Sequence, residues 1–110
     1  MISTVIREIS VLELKEMFDS SADFELIDVR EKWEKNIADI GGKLIPVNEV
    51  HLKYHEIPKD KMTIIYCRSG KRSANAVKFL MENYGYQNLL NLKGGILAWS
   101  DYINKSLPKY

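Results

Sequence analysis

Short apolar segments alternate along the chain with segments whose apolar residues recur at helical spacing. The clearest apolar segment, residues 62–66, is rich in β-branched and aromatic residues and predicts a central β-strand. A second run, residues 24–29, predicts another buried strand that ends at the charged residues Arg30 and Glu31. The predicted strands cover residues 5–9, 24–29, 43–47, 62–66 and 89–92.

Local signals between these strands predict helices. Ser10 lies three residues before Glu13, a capping-box pattern that begins the first helix. Asn48 is expected to cap a later helix, and Gly85 to end the helix before the last strand. The predicted helices cover residues 10–18, 31–37, 49–55 and 73–84, with a last helix that follows Gly94 and Gly95 and contains Trp99.

The alternation of strands and helices predicts a single α/β domain over residues 1–110, with a mostly parallel central β-sheet flanked by helices on both faces. The chain shows no repeat and no linker, and its 110 residues are enough for one core. Ligands of parallel sheets bind beyond the carboxyl ends of the strands. Because Cys67 directly follows the strand at residues 62–66, it is expected at that edge.

Charge and cysteine content narrow the classes of partner. The chain has 16 Lys and Arg against 15 Asp and Glu, a net charge of +1, so no general attraction to nucleic acid or membrane is expected. The N-terminus lacks the features of a secretion signal, and no apolar run is long enough to span a bilayer. Cys67 is the only cysteine, so no disulfide forms within the chain, and a cytoplasmic location is expected.

The segment 67–73 carries the candidate chemistry. Thiols at helix N-termini or beside cations ionise more readily than free thiols, and Cys67 is followed by three basic residues and a predicted helix. Gly70 can adopt a left-handed backbone conformation, which lets successive N–H groups converge on one point. These features predict a cup for an anion, with Cys67 at its base as the nucleophile. The alternative is a buried cysteine followed by solvated basic residues, which describes most isolated cysteines.

Residues 67–73 resemble the active-site loop of rhodanese domains, the thiosulfate sulfurtransferases. Residues 26–31 match the second-strand motif of that family, and residues 92–99 match its closing motif. The three blocks occur in the family's order and spacing, so the resemblance covers nearly the whole chain. Residues 33–47, together with the ending 106–110, are similar to a rhodanese subgroup that is often fused behind the adenylyltransferases of molybdopterin and thiamine biosynthesis.

The resemblance implies a two-step transfer of sulfur. The Cys67 thiolate would take the outer sulfur of thiosulfate and release sulfite, leaving a persulfide on the cysteine. Cyanide, a thiol, a sulfur-carrier protein or a thioredoxin-like protein would then accept that sulfur. The family uses no metal and no organic cofactor, so neither is expected. The basic loop favours thiosulfate over mercaptopyruvate as the donor.

The resemblance also assigns roles around the nucleophile. The expected substrate-binding residues are Arg68, Ser69, Gly70, Lys71, Arg72 and Ser73. The side chains of Arg68 and Lys71 are expected to attract the donor. Ser69 and Ser73 either donate a hydrogen bond to the sulfur or cap the helix.

Three charged residues have two open interpretations each. Arg72 either contacts the substrate or ties the loop to Asp28 or Glu31, since buried arginines are usually paired. Asp28 and Arg30 lie at the carboxyl end of the strand at residues 24–29, and they either line the rim of the site or form an ion pair that holds the loops.

Other classes of function compete with sulfur transfer. A cysteine-dependent phosphatase places one more residue between Cys and Arg than the four that separate Cys67 and Arg72, and the shorter loop suits a single sulfur atom. A catalytically silent interaction module of the same family commonly lacks the cysteine or the basic loop, and this chain has both. His51 and His55 have a spacing compatible with metal binding, but without a third ligand nearby they are expected to be surface residues.

Overall fold

The computed structural model describes residues 4–110, which contain five β-strands and five α-helices. The strands are Glu8–Ile9 (β1), Glu25–Asp28 (β2), Lys43–Leu44 (β3), Thr63–Tyr66 (β4) and Leu89–Leu92 (β5). The helices are Val11–Asp19 (α1), Lys32–Ile37 (α2), Val50–Lys53 (α3), Lys71–Tyr84 (α4) and Gly95–Tyr102 (α5). Each strand is followed by a helix, which confirms the predicted α/β class. Every helix in residues 4–110 is too short or too polar to cross a lipid bilayer.

The five strands form one sheet in the order β1-β5-β4-β2-β3, and every pairing is parallel. The central strand is β4, with β5 on one side and β2 on the other. Asp28, at the end of β2, is in register with Tyr66, at the end of β4. Because parallel strands end at the same edge, the loops after β2, β4 and β5 meet there, and Cys67 lies in the middle of that edge.

Side chains from alternate positions of β4 enter two separate cores, as the pleat of a strand requires. Ile65 packs with α3 and α4 on one face, whereas Ile64 and Tyr66 pack with α1 and α5 on the other face. All three side chains are fully buried. Helices therefore cover both faces of the sheet, as predicted, and they hold β4 and the loop that follows it in place.

Two of the predicted strands are shorter than expected. β1 covers only the last two residues of the predicted strand 5–9, and Val5 is exposed, with no core to enter. β3 covers only the first two residues of the predicted strand 43–47. The regular pairing with β2 ends at Leu44, although the N–H groups of Ile45 and Val47 still donate to the carbonyls of Asp28 and Val29, over 2.8 and 3.0 Å.

The predicted helix 49–55 is instead three short helical pieces. A 3-10 turn at Val47–Glu49 leads into α3, and a second 3-10 turn at Tyr54–Glu56 follows. Asn48 lies inside the first turn, so its predicted role as a helix cap is wrong. Pro46 begins the segment, because its φ of −52° suits the start of a helical turn.

Helix α4 begins at Lys71, two residues earlier than the predicted span 73–84. Its N-cap is Gly70, at a φ of +99°, and Gly85 ends it at a φ of +69°, as predicted. The early start places Lys71, Arg72 and Ser73, the last three residues of the segment 67–73, in the first helical turn. The helix therefore begins beside Cys67: the N–H groups of Gly70 and Ser73 and the positive end of the helix dipole face its sulfur.

Candidate active site

The sulfur of Cys67 lies in a cradle of hydrogen-bond donors at the N-terminus of α4. The Gly70 N–H donates to Sγ over 3.1 Å and the Ser73 N–H donates to it over 3.4 Å, while the Ser73 hydroxyl oxygen lies 3.3 Å from Sγ. Since Gly70 is the helix cap, the structure favours the first of the two roles predicted for Ser73. Donors that converge on one atom at the positive end of a helix stabilise negative charge there, so the cradle suits an anionic sulfur.

The backbone of the active-site loop is held against the start of α5 by a close approach at Gly95. A Cβ on Gly95, whose φ is +59°, would lie 2.4 Å from the carbonyl oxygen of Arg68 and 2.5 Å from that of Cys67. The same two oxygens accept hydrogen bonds from the N–H groups of Leu97 and Ile96, at 3.1 and 2.9 Å respectively. Gly95 therefore shapes the loop, in addition to making the turn that the sequence predicts.

Arg72 forms a bidentate ion pair with Glu34 of α2, over 2.8 and 2.7 Å. The predicted partner, Asp28 or Glu31, is wrong: Glu31 caps α2, and Asp28 is bound by Arg30. Hydrogen bonds from Arg72 outweigh the opposing effect of burial and lower the pKa of Glu34 to about 2. The pair connects the first turn of α4 to α2 and so fixes one side of the loop.

The change Glu34→Gln is expected to lower the free energy of unfolding by about 2 kcal/mol at pH 7, because Arg72 loses its carboxylate partner. The folded pKa of Glu34 is about 2 against an ordinary value of 4.5, so its contribution is full above about pH 5 and is lost as the pH falls toward 2. Urea unfolding of wild type and Glu34→Gln at pH 7 and at pH 3 measures this contribution. The difference in unfolding free energy between the two proteins at pH 3 should be less than about half that at pH 7. Glu16→Gln, at an exposed position of α1, is the control. If the loss of unfolding free energy in Glu34→Gln were the same at both pH values, the ionised pairing of Glu34 with Arg72 would be contradicted.

Asp28 and Arg30 form a fully buried ion pair at the end of β2. The Nε and Nη2 atoms of Arg30 donate to the two carboxylate oxygens of Asp28 over 2.9 and 2.8 Å, and Nη2 also donates to the carbonyl of Ala38 over 2.8 Å. Burial alone would lower the pKa of Arg30, but its hydrogen bonds to Asp28 and Tyr110 raise it overall. Of the two predicted roles, lining the rim is wrong, because neither side chain reaches the surface. The ion pair is the role observed.

Asn91, a buried residue of β5, supports the cradle and was missed from the sequence. Its side-chain oxygen accepts a hydrogen bond from the Ser73 hydroxyl at 2.5 Å. Its side-chain nitrogen donates to the carbonyl of Gly70 at 3.1 Å and to the carboxylate of Glu8 at 3.0 Å. Asn91 thus orients the two residues that donate to the sulfur. The available signal was a polar residue inside an otherwise apolar strand, because a buried amide requires partners.

The remaining basic residues of the segment differ in their surroundings. Arg68 is half-buried, and its Nε donates to the main-chain oxygen of Tyr110 over 2.5 Å. Lys71 and Ser69 are exposed, and within residues 4–110 Lys71 has no ion-pair partner. The structure therefore brings the predicted residues 67–73 together in one loop and helical turn.

The two histidines lie away from any cluster of ligands. His51 belongs to α3 and His55 to the 3-10 turn after it, and both are exposed, which confirms their predicted surface location. In the part of the chain that the structure describes, no three His, Cys, Asp or Glu side chains are grouped so that they could hold a metal ion.

Similarity to known proteins agrees with this geometry. The family model described as the Rhodanese-like domain matches residues 10–102. The chain belongs to this family. This rhodanese-like domain is 38% identical over 97 residues to a protein of Allochromatium vinosum named Sulfurtransferase, in an alignment that covers 87% of this chain and 90% of that protein. The crystal structure of a rhodanese-like domain protein from Staphylococcus aureus superposes with a TM-score of 0.79 at 29% identity, covering 96% of this chain and 99% of the other.

A larger relative carries a second activity in its name. The domain is 33% identical over 101 residues to the Mycobacterium tuberculosis protein named Probable adenylyltransferase/sulfurtransferase MoeZ. That alignment covers 89% of this chain but 26% of MoeZ, so the domain spans about a quarter of that protein. The resemblance to the rhodanese family and to its adenylyltransferase-linked subgroup is thereby confirmed. Together these relatives support sulfur transfer as the general activity of the domain.

Proposed function

We propose that the domain transfers a sulfane sulfur from thiosulfate, through a persulfide on Cys67, to a nucleophilic acceptor. The observation that carries this proposal is the convergence of the Gly70 and Ser73 N–H groups on the sulfur of Cys67, at the N-terminus of α4. These donors surround the one atom whose charge must be stabilised before the donor arrives and again in the persulfide. A reducing compartment such as the cytoplasm suits this chemistry, because the thiolate must remain reduced between cycles.

The first step forms a bond between the sulfur of Cys67 and the outer sulfur of thiosulfate. The thiolate supplies the electron pair, the sulfur–sulfur bond within thiosulfate breaks, and sulfite leaves with the electrons of that bond. In the second step the acceptor attacks the outer sulfur of the persulfide, and the Cys67 thiolate leaves. Cyanide yields thiocyanate, and a thiol yields its own persulfide. Each step balances without an external oxidant, reductant or metal.

The loop residues divide into those that hold the sulfur and those that bring in the donor. Gly70 and Ser73 stabilise the anionic sulfur, and Arg72, tied to Glu34, keeps the loop in shape. The basic side chains of Arg68 and Lys71 attract the anionic donor. They act beside the backbone of residues 68–72, the expected cradle, in which the Gly70 N–H donates to the sulfur.

Access to the sulfur requires a local opening of the loop, because Cys67 has no exposed surface. Ser69 and Lys71, on the solvent side of the loop, are both exposed. Exposed loop segments open at low cost compared with the core strands that flank them. A donor attracted by Lys71 would therefore enter through this part of the loop, whereas the two cores beneath it stay closed.

For the physiological acceptor, we propose a thiol-bearing or sulfur-carrier protein; a thioredoxin-like protein belongs to the same group. The relationship to MoeZ, whose name joins adenylyltransferase and sulfurtransferase, supports a sulfur carrier activated by adenylylation. Cyanide serves as the acceptor in the assay below, because its product is formed whichever protein accepts sulfur in the cell.

The change Lys71→Ala is expected to raise the KM for thiosulfate about fivefold and to leave kcat within about twofold, because it removes an exposed charge that attracts a dianion. Thiocyanate formation from thiosulfate and cyanide measures both constants. Lys78→Ala, seven residues further along α4 and also exposed, is the matched control and should behave as wild type. Equal effects of the two substitutions would mean that net charge, rather than the position of Lys71, governs donor binding. No thiocyanate from the wild type would overturn thiosulfate as the donor.

A further inference from the structure

Tyr110 lies beside the active-site loop and contacts several charged residues around it. Its hydroxyl accepts a hydrogen bond from Nη1 of Arg30 at 3.0 Å and donates one to Oε1 of Glu34 at 2.9 Å. Its main-chain oxygen accepts hydrogen bonds from Nε of Arg68 at 2.5 Å and from Nη2 of the same guanidinium. One residue therefore contacts both Arg68 and the carboxylate that holds Arg72.

The guanidinium of Arg68 is held along one edge only. Its Nε and Nη2 atoms are bound to Tyr110, and its Cζ lies 5.3 Å from the centre of the tyrosine ring. Within residues 4–110, the Nη1 atom of Arg68 donates no hydrogen bond. Because Arg68 directly follows Cys67, its side chain starts at the cradle. An arginine fixed along one edge can present its other edge to an oxyanion.

We propose that Tyr110 is a positioning residue for the anionic sulfur donor, and that it acts by holding Arg68 ready for the oxygen-bearing end of the donor. This inference rests on the proposed transfer of sulfur from thiosulfate. A free arginine side chain loses rotamer freedom when it binds a ligand, which weakens binding. Because Tyr110 orders Arg68 before the donor arrives, that cost is not incurred on binding. The effect belongs to donor binding rather than to cleavage of the sulfur–sulfur bond.

Two variants of Tyr110 and one control test its contacts. Tyr110→Ala removes the ring over Arg68 and the hydroxyl that anchors residue 110, and it is expected to raise the KM for thiosulfate about fivefold with kcat within about twofold. Tyr110→Phe keeps the ring and the main-chain oxygen, so its KM should rise by no more than about twofold. Tyr102→Ala is the matched control: Tyr102 is 73% exposed on α5, and its hydroxyl forms no hydrogen bond within residues 4–110.

A double-mutant cycle with Arg68→Ala tests whether Tyr110 acts through Arg68. If it does, Tyr110→Ala raises KM no further once Arg68 is absent, because the two substitutions remove the same interaction. A purely structural role would instead give equal effects in both backgrounds and would overturn the proposal. Should Tyr110→Ala fold poorly, Tyr110→Leu, which keeps apolar bulk but lacks the ring and hydroxyl, serves in the same cycle.

The kinetic outcomes are distinct from one another. An unchanged KM in Tyr110→Ala would show that Arg68 needs no support, and a lowered KM would show that Tyr110 withholds Arg68 from the donor; either result overturns the proposal. A wild-type protein that forms no thiocyanate from thiosulfate would overturn the proposed function, and this inference with it. Wild-type activity together with a wild-type KM in Tyr110→Ala overturns this inference alone.

Discussion

Replacing Cys67 by serine is expected to reduce sulfur transfer from thiosulfate to cyanide at least about a thousandfold, because no other group on the chain can form the covalent intermediate. Serine has nearly the shape of cysteine, and its oxygen would still be surrounded by the donors of Gly70 and Ser73. The fold should therefore survive the change. Thiocyanate formation, measured at saturating thiosulfate for both proteins, gives the ratio.

Thermal unfolding is the control for the Cys67→Ser variant. Its Tm should lie within a few degrees of the wild-type value, because the free energy of unfolding should change by well below about 2 kcal/mol. A folded variant that keeps a tenth or more of the wild-type rate would contradict the assignment of Cys67 as the nucleophile. If wild type and variant were equally inactive with every sulfur donor yet bound a protein partner equally well, the domain would be a silent interaction module.

The second large effect is expected at Gly95. Gly95→Ala should destabilise the protein by about 3 kcal/mol more than Gly85→Ala and should lower kcat/KM for thiosulfate more than tenfold. Both glycines have positive φ, +59° and +69°, so alanine incurs a similar backbone penalty at each. At Gly85 the added Cβ meets nothing within 4 Å, whereas at Gly95 it collides with the carbonyl oxygens of Arg68 and Cys67. These oxygens belong to the backbone of the cradle, so relief of the collision must move the sulfur.

Urea unfolding and steady-state kinetics on the two glycine variants measure these effects together. The paired design removes the general cost of alanine at positive φ, so the remaining difference reports the close approach of α5 to the loop. Equal losses of stability and activity in Gly85→Ala and Gly95→Ala would show that this approach does not control the position of Cys67.

The sequence predicted the fold well because its signals are local and strong. The β-branched run at residues 62–66, the capping box of α1 and Gly85 at the end of α4 each depend on a few neighbouring residues. The errors occurred where long-range contacts decide the outcome. β3 ends early, at Leu44, beside the neighbouring strand β2, and the segment after it divides into three helical pieces that no local pattern distinguishes from one helix.

Within the site, the contiguous segment 67–73 was predictable, whereas the residues that support it were not. The sequence predicts Asp28 or Glu31 as the partner of Arg72, but the observed partner, Glu34, depends on how α2 packs beside α4. Asn91 supports the cradle from a neighbouring strand, and Tyr110 approaches from the distant end of the described chain. Such contacts arise only after the sheet has assembled, so spacing along the chain does not report them.

The most direct test of the account is the intact mass of the purified, fully reduced protein after brief incubation with thiosulfate, with Cys67→Ser beside it. Persulfide formation predicts a gain of about 32 Da on the wild type only, and its loss on addition of cyanide. Unmodified wild-type protein, or the same gain on Cys67→Ser, would contradict sulfur transfer from thiosulfate through Cys67.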